Sequence, residues 1–137
     1  MTVAQRTLQV TVQTPPASVP PAPDPSPSNP QLTPVDLGDV ILQSVTIVIP
    51  NGHAALTGIA IWQCGTLLVP FQTAQPWLIG NDSTEDYAVN AEVDTGLVIA
   101  TYNLDVVFAH QHLVTFTYEP VSLSFGPSLT AELVPIT

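Results

Sequence analysis

Val40-Ile41-Leu42-Gln43-Ser44-Val45-Thr46-Ile47-Val48-Ile49, followed at once by Pro50-Asn51-Gly52, decides the fold class. Residues so rich in β-branched types, ended by a turn signal, read as one long strand. C-terminal to it the same form recurs at short intervals. Leu56–Gln63 reads as a strand interrupted at Gly58. Thr66–Val69 follows the turn Cys64-Gly65 and stops at Pro70, and Trp77–Ile79 precedes a polar loop, Gly80–Asp86. Tyr87, Val89, Ala91 and Val93 then alternate with Ala88, Asn90 and Glu92, and Asp94-Thr95-Gly96 reads as a hairpin turn into Leu97–Tyr102. His112–Tyr118 alternates again and ends at Glu119-Pro120, and two weaker runs, Val121–Phe125 and Leu129–Val134, follow.

Short strands with turn signals about every 8–12 residues predict an all-β fold, an antiparallel β-sandwich or barrel-like domain over residues 35–137. No window carries a capped 3.6-residue period, so less than about a tenth helix is expected. Trp62, Trp77, Phe116 and the Ile/Val faces are the expected core. Cys64 is expected to lie buried and inert beside Trp62.

N-terminal to the long strand the pattern changes. Residues 14–34 are dominated by Pro15, Pro16, Pro20, Pro21, Pro23, Pro25, Pro27, Pro30 and Pro34. Proline removes backbone donors and fixes φ, so this stretch reads as an extended polyproline II linker that excludes helix and sheet. Twenty such residues reach on the order of 60 Å. Ahead of it, residues 1–13 form an arm in which Leu8, Val10 and Val12 alternate with Thr7, Gln9, Thr11 and Gln13, an isolated one-sided strand. A lone strand leaves its backbone unpaired, and a stiff linker makes a tight hairpin with Val40–Ile49 awkward. The arm is therefore expected to pair with a neighbouring subunit, with Leu8, Val10 and Val12 as the interaction residues.

Composition removes several function classes. The chain has 137 residues and a formal net charge of −10, and Arg6 is its one Lys or Arg. Neutralising phosphate needs clustered cations, so neither nucleic acid nor an anionic membrane is an expected partner. No apolar run reaches the ~18–20 residues that span a bilayer. The start, Met1–Thr7, leads into alternation and not into a solid apolar block, which reads against a signal peptide. A single cysteine excludes an internal disulfide framework.

The chemistry-bearing candidates are few. In His110-Gln111-His112 alternate strand positions could turn both imidazoles toward one ion, with Asp105 or His53 completing the set. Two histidines without a fixed third ligand do not make a centre, and no metal or other cofactor is expected; the candidate ligands are His110, His112 and Asp105. Asn81–Asp86 offers oxygens for calcium but lacks the ligand spacing and central glycine of a calcium loop. No nucleophile elbow is present, and Cys64 has no cationic neighbour in sequence. Asp82, Glu85, Asp86 and Asp94 could be paired for glycoside chemistry, as the carboxylates of any acidic protein could. Trp77, just before a polar loop, could stack on a sugar, although a buried tryptophan is the commoner fate. No enzyme is expected.

Gly58-Ile59-Ala60-Ile61-Trp62, Gly65-Thr66, Pro70, Trp77-Leu78-Ile79-Gly80-Asn81-Asp82, Tyr102-Asn103-Leu104-Asp105 and His110 together carry a resemblance. Over roughly residues 40–118 the chain resembles small β-rich virion structural proteins of tailed bacteriophages, especially phages of actinobacteria. The resemblance implies a non-enzymatic capsid decoration, head-spike, neck or tail component. It also implies other copies of the chain and a capsid or other virion protein as partners, and a place in the virion after assembly in host cytoplasm. No catalytic residue carries over. A β-sandwich binding module for a glycan or a host surface is the competing expectation.

Overall fold

The computed structural model describes residues 5–17, 25–70 and 76–121. Eight strands follow in chain order: β1 (Arg6–Thr14), β2 (Gln31–Val35), β3 (Val40–Ile49), β4 (Thr57–Gln63), β5 (Thr66–Val69), β6 (Ser83–Val93), β7 (Leu97–Asn103) and β8 (His110–Pro120). They form two four-stranded sheets, β1-β8-β3-β6 and β2-β7-β4-β5, with every pairing antiparallel. Among the described residues there is no helix. The fold is an all-β antiparallel sandwich.

Strand β3 shows how the sequence builds the core. Val40 and Leu42 face inward on even numbers, Val45, Ile47 and Ile49 on odd ones. The change of parity is absorbed by a register shift between Leu42 and Ser44 against both neighbours. One extra residue keeps both apolar sets on the buried face. Across the sandwich, Ile59 and Ile61 of β4 and Leu97 and Ile99 of β7 meet Val114 and Phe116 of β8 in one cluster. β4 and β7 are inner strands covered on both faces, which is why Ala60, Ala100 and Tyr102 are buried along with them. Gly58 continues β4 without interruption, because the Tyr102 ring lies where a Cβ would stand, 2.2 Å from its Cε2 position.

The N-terminal arm is corrected by this architecture. β1 pairs in register with β8 of its own chain, from Arg6 opposite Tyr118 to Thr14 opposite His110. Val12 is a core residue, Val10 is half-buried and packs against the core, and Leu8 is exposed. The strand is an edge of the sandwich and not a separate arm. The linker is corrected at its C-terminal end as well: residues 31–35 form β2 against β7 despite Pro34. β2 is an edge strand, where a missing N–H on the open side costs no ladder bond. Of the remaining linker, residues 18–24 lie outside the described residues.

Other expectations change for similar reasons. Asp94-Thr95-Gly96 joins strands of different sheets and is no hairpin, since Val93 and Leu97 both enter the core between them. Trp77–Ile79 makes a single bridge, Leu78 with Ile59, and not a strand. Ser83–Asp86 belongs to β6 and not to a loop. Cys64-Gly65 is a two-residue hairpin turn with φ of 48° and 83°, and Cys64 is exposed there with its Sγ beside Gly96 and Asp94. Trp62 and Trp77 are half-buried; only Phe116 of the three expected aromatic core residues is sealed. The runs Val121–Phe125 and Leu129–Val134 lie, beyond Val121, outside the described residues.

Candidate functional site

At the end of the sandwich where β8 begins, polar side chains occupy the interior. His110 and His112 leave the same side of β8, and His53, from the loop between β3 and β4, inserts beside them. Its ring centroid lies 4.7 Å from that of His110 and 4.8 Å, edge-on, from that of His112. His53, His112, Thr14, Thr57, Thr101 and Asn103 are all buried. The structure thus brings together His110, His112, Asp105 and His53, the residues singled out as candidate ligands.

Asn81 places His53. Its Oδ1 accepts hydrogen bonds from the amides of Gly52, His53 and Ala54 at 2.9, 2.8 and 3.1 Å. The loop then turns through Ala54 and Ala55, both in the left-handed region with φ of 50° and 62°, and closes with the Leu56 amide on the His53 carbonyl. Left-handed alanines are unfavourable and persist where surrounding bonds impose them.

The hydrogen bonds fix the tautomer of His53. Its Nε2 lies 2.9 Å from the Gln111 carbonyl, which can only accept, so Nε2 carries the proton and donates. Nδ1 is left to accept from the Thr57 hydroxyl at 2.6 Å. His110 donates from Nε2 to Asp105 Oδ2 at 2.9 Å, while Asp105 Oδ1 accepts from the amides of Val107 and Phe108. Asn103 braces the same turn: Oδ1 accepts from the Asp105 amide, and Nδ2 donates to the carbonyls of Phe108 and Pro15 at 2.9 and 3.1 Å. The Ala17 amide donates to the Asp105 carbonyl. Only His112 is left out, since neither of its ring nitrogens has a hydrogen-bond partner among the described residues.

Electrostatics follow from this packing. Burial, with His53 and His110 beside it, pushes His112 down to about 3, so the ring is neutral in the folded protein at pH 7. Burial and then the neighbouring His110 lower His53, opposed by the Gln111 carbonyl. The hydrogen bond from His110 and then the Val107 amide hold the Asp105 carboxyl below the usual range. At the far end of the sandwich, the Gly96 amide and the Gln63 side chain do the same for Asp94.

A metal centre needs several lone pairs converging on one point. Both nitrogens of His53 are already engaged, and the Nε2 of His110 faces a carboxylate. Among the described residues no group of three or more His, Cys, Asp and Glu is placed to hold an ion. The carboxylates Asp82, Glu85, Asp86 and Asp94 do not converge either: the first three lie at the start of β6 or just before it, and Asp94 just past its end. The Trp77 ring meets Tyr102 edge-on at 4.9 Å, so one side of it is already taken.

Sequence reasoning missed Asn103 and the three threonines, and it named Asn81 only among oxygens for calcium, not as the brace of the His53 loop. For Asn103 a signal existed, because Asn-Leu-Asp between two strands is the composition of side-chain-capped turns. For Thr14, Thr57 and Thr101 none did, since threonine at strand positions looks the same whether it faces water or a buried partner.

Comparison by sequence matches the chain to no protein family and to no curated protein. By shape it matches a solved structure titled "Crystal Structure of FLHE", with a TM-score of 0.45 and 8% identity, over 84% of this chain and 97% of that one. Nothing about function follows from a likeness of that degree. Fold and site together define an antiparallel β-sandwich closed at one end by a buried histidine cluster.

Proposed function

We propose that the chain is a non-enzymatic structural component of a larger assembly, in the class of tailed-phage virion proteins that its sequence resembles, as a capsid decoration or head-surface protein. The observation that carries this reading is the use made of the chemistry-bearing side chains. Asn81, Asn103, Asp105 and His53 direct their polar atoms at backbone groups of the loops or at the neighbouring side chains of Asn51, Thr57 and His110. Groups engaged in this way hold a shape and present no free nucleophile, base or ligand to a substrate. The surface charge supports the same reading, since a chain of net charge −10 stays clear of nucleic acid within a particle that packages it. Attachment in this reading needs no strand exchange, because β1 has its partner within the chain.

Quantitative mass spectrometry of purified particles of the phage that encodes the chain tests the reading. A fixed copy number matching a symmetry of the particle is the expected result. Recovery of the chain only as a free protein, with none in the particles, overturns it.

A further inference from the structure

The end of the sandwich where β8 begins carries apolar surface beside carboxylates: Asp82, Glu85 and Asp86 lie there, just before or at the start of β6, and Asp105 precedes Val106. At the end where β8 begins, the loops 50–56 and 104–109 meet through the Leu104 amide, which donates to the Leu56 carbonyl at 2.8 Å. The second of these loops carries Val106, Val107 and Phe108 in succession, 54%, 65% and 65% exposed, with Leu104 and Leu56 exposed next to them. At the opposite end lie Asp36, Asp39, Glu92, Asp94 and Glu119, where β2 ends, β3 begins, β6 ends and β8 ends.

Resting on the reading of the chain as an assembly component, we propose that the Val106–Phe108 turn is its docking knob, seated in an apolar pocket of a different protein whose rim carries Lys and Arg. Three exposed apolar residues in a row, flanked by two more, form the kind of patch that marks an interface. The knob is held in shape in the free chain. Asp105 Oδ1 accepts from the amides of Val107 and Phe108, and Asn103 Nδ2 donates to the Phe108 carbonyl. Docking therefore orders side chains and not backbone, which lowers its entropic cost.

The charge of this chain selects the occupant. Arg6, its one Lys or Arg, stands opposite Tyr118 at the far end of the sandwich. A second copy would bring a chain of net charge −10 against another with no Lys or Arg at the contact, and an anionic lipid surface would be repelled in the same way. A basic-rimmed protein pocket gains attraction from the same field.

The test is photocrosslinking in the full-length chain, with a benzophenone amino acid in place of Phe108 or, separately, of Glu92, in cells where the assembly forms. One protein joined at position 108 and not at 92, through a peptide with Lys or Arg beside apolar residues, is the expected result. That protein, purified, should bind the chain with an affinity that falls with salt. The affinity should fall about thirtyfold or more for Val107→Ser with Phe108→Ser, at unchanged circular dichroism. Adducts of the chain with itself or with lipid, no adduct at 108, or binding indifferent to the two substitutions overturn the knob. A confirmed partner that is no virion protein leaves the knob standing and removes the phage reading. A chain present in particles whose attachment ignores the substitutions does the reverse.

Discussion

The hydroxyl of Thr14, the last residue of β1, donates to the hydroxyl of Thr101 on β7 at 2.8 Å, inside the sandwich. The N-terminal strand is thereby fastened to the sheet it does not belong to. Deleting residues 1–14 removes the buried Val12 and Thr14 and one whole edge of a sheet. Burial of a valine alone contributes about 1.5–3 kcal/mol, so the truncated chain should melt at least ~10 °C lower. A truncation with an unchanged melting temperature would make β1 dispensable. Thr14→Val, which strands the Thr101 hydroxyl, should cost about 1–3 kcal/mol in a denaturant titration.

Asn103→Ala should be the more damaging polar substitution. It frees the carbonyls of Pro15 and Phe108 and the amide of Asp105 at once. A loss of about 2–4 kcal/mol is expected. Hydrogen exchange at Val107 and Phe108 should speed up beyond what the lost global stability explains, because the turn opens locally.

Acid should destabilise the fold through the histidine cluster. His112 is lowered from 6.5 to about 3 in the folded chain. Between those values the unfolded state binds the proton and the folded state does not, so stability is complete above pH 6.5 and declines as pH falls toward 3. One such group gives a slope of about 1.4 kcal/mol per pH unit. His53, also lowered, acts in the same direction. Asp105, lowered as well, adds a loss that begins only below its ordinary carboxylate range. His112→Phe removes a buried group with no hydrogen-bond partner among the described residues. It should leave stability at pH 7 equal or higher, and it should flatten the decline by about one proton. An unaltered slope would show that His112 is not the titrating group.

Two substitutions between alanine and glycine should have opposite signs. Gly58→Ala drives a methyl into the Tyr102 ring, 2.2 Å from Cε2, and should cost about 2–4 kcal/mol unless the ring moves. Ala55→Gly relieves a left-handed alanine at φ 62° and should stabilise by about 0.5–1 kcal/mol. Equilibrium unfolding of both variants checks the pair.

The parts of the fold legible in the sequence were those written in local pattern. β8 and the second half of β6 are visible as period-two runs, β3 and β7 as apolar, β-branched runs, and Cys64-Gly65 as a turn. Pairing across the chain was not legible. Nothing in Leu8, Val10 and Val12 says which strand edge covers them, and β8 lies about a hundred residues away. Pro34 concealed β2 because proline is neutral only on an edge, and edge status is a property of the finished sheet. The histidine cluster was half legible: spacing placed His110 and His112 on one side of a strand, and Asp105 and His53 were the partners named. Their actual use, with His53 satisfied by Thr57 and a carbonyl and His112 by nothing described, depends on distances that only the packed interior sets.

The pairing of β1 with β8 also imposes an order of events on synthesis. Of the described strands, the first to be synthesised is completed by the last, with six made in between. At ~5–20 residues per second this leaves β1 without its partner for roughly 5–20 s. During that time β3 can pair with β6, and β4 with β5 and β7, while both the β8 slot and the histidine end stay open. The sandwich is therefore closed late, by the arrival of β8, which in one step supplies β1's neighbour, two of the three histidines and the second leg of the Val106–Phe108 turn.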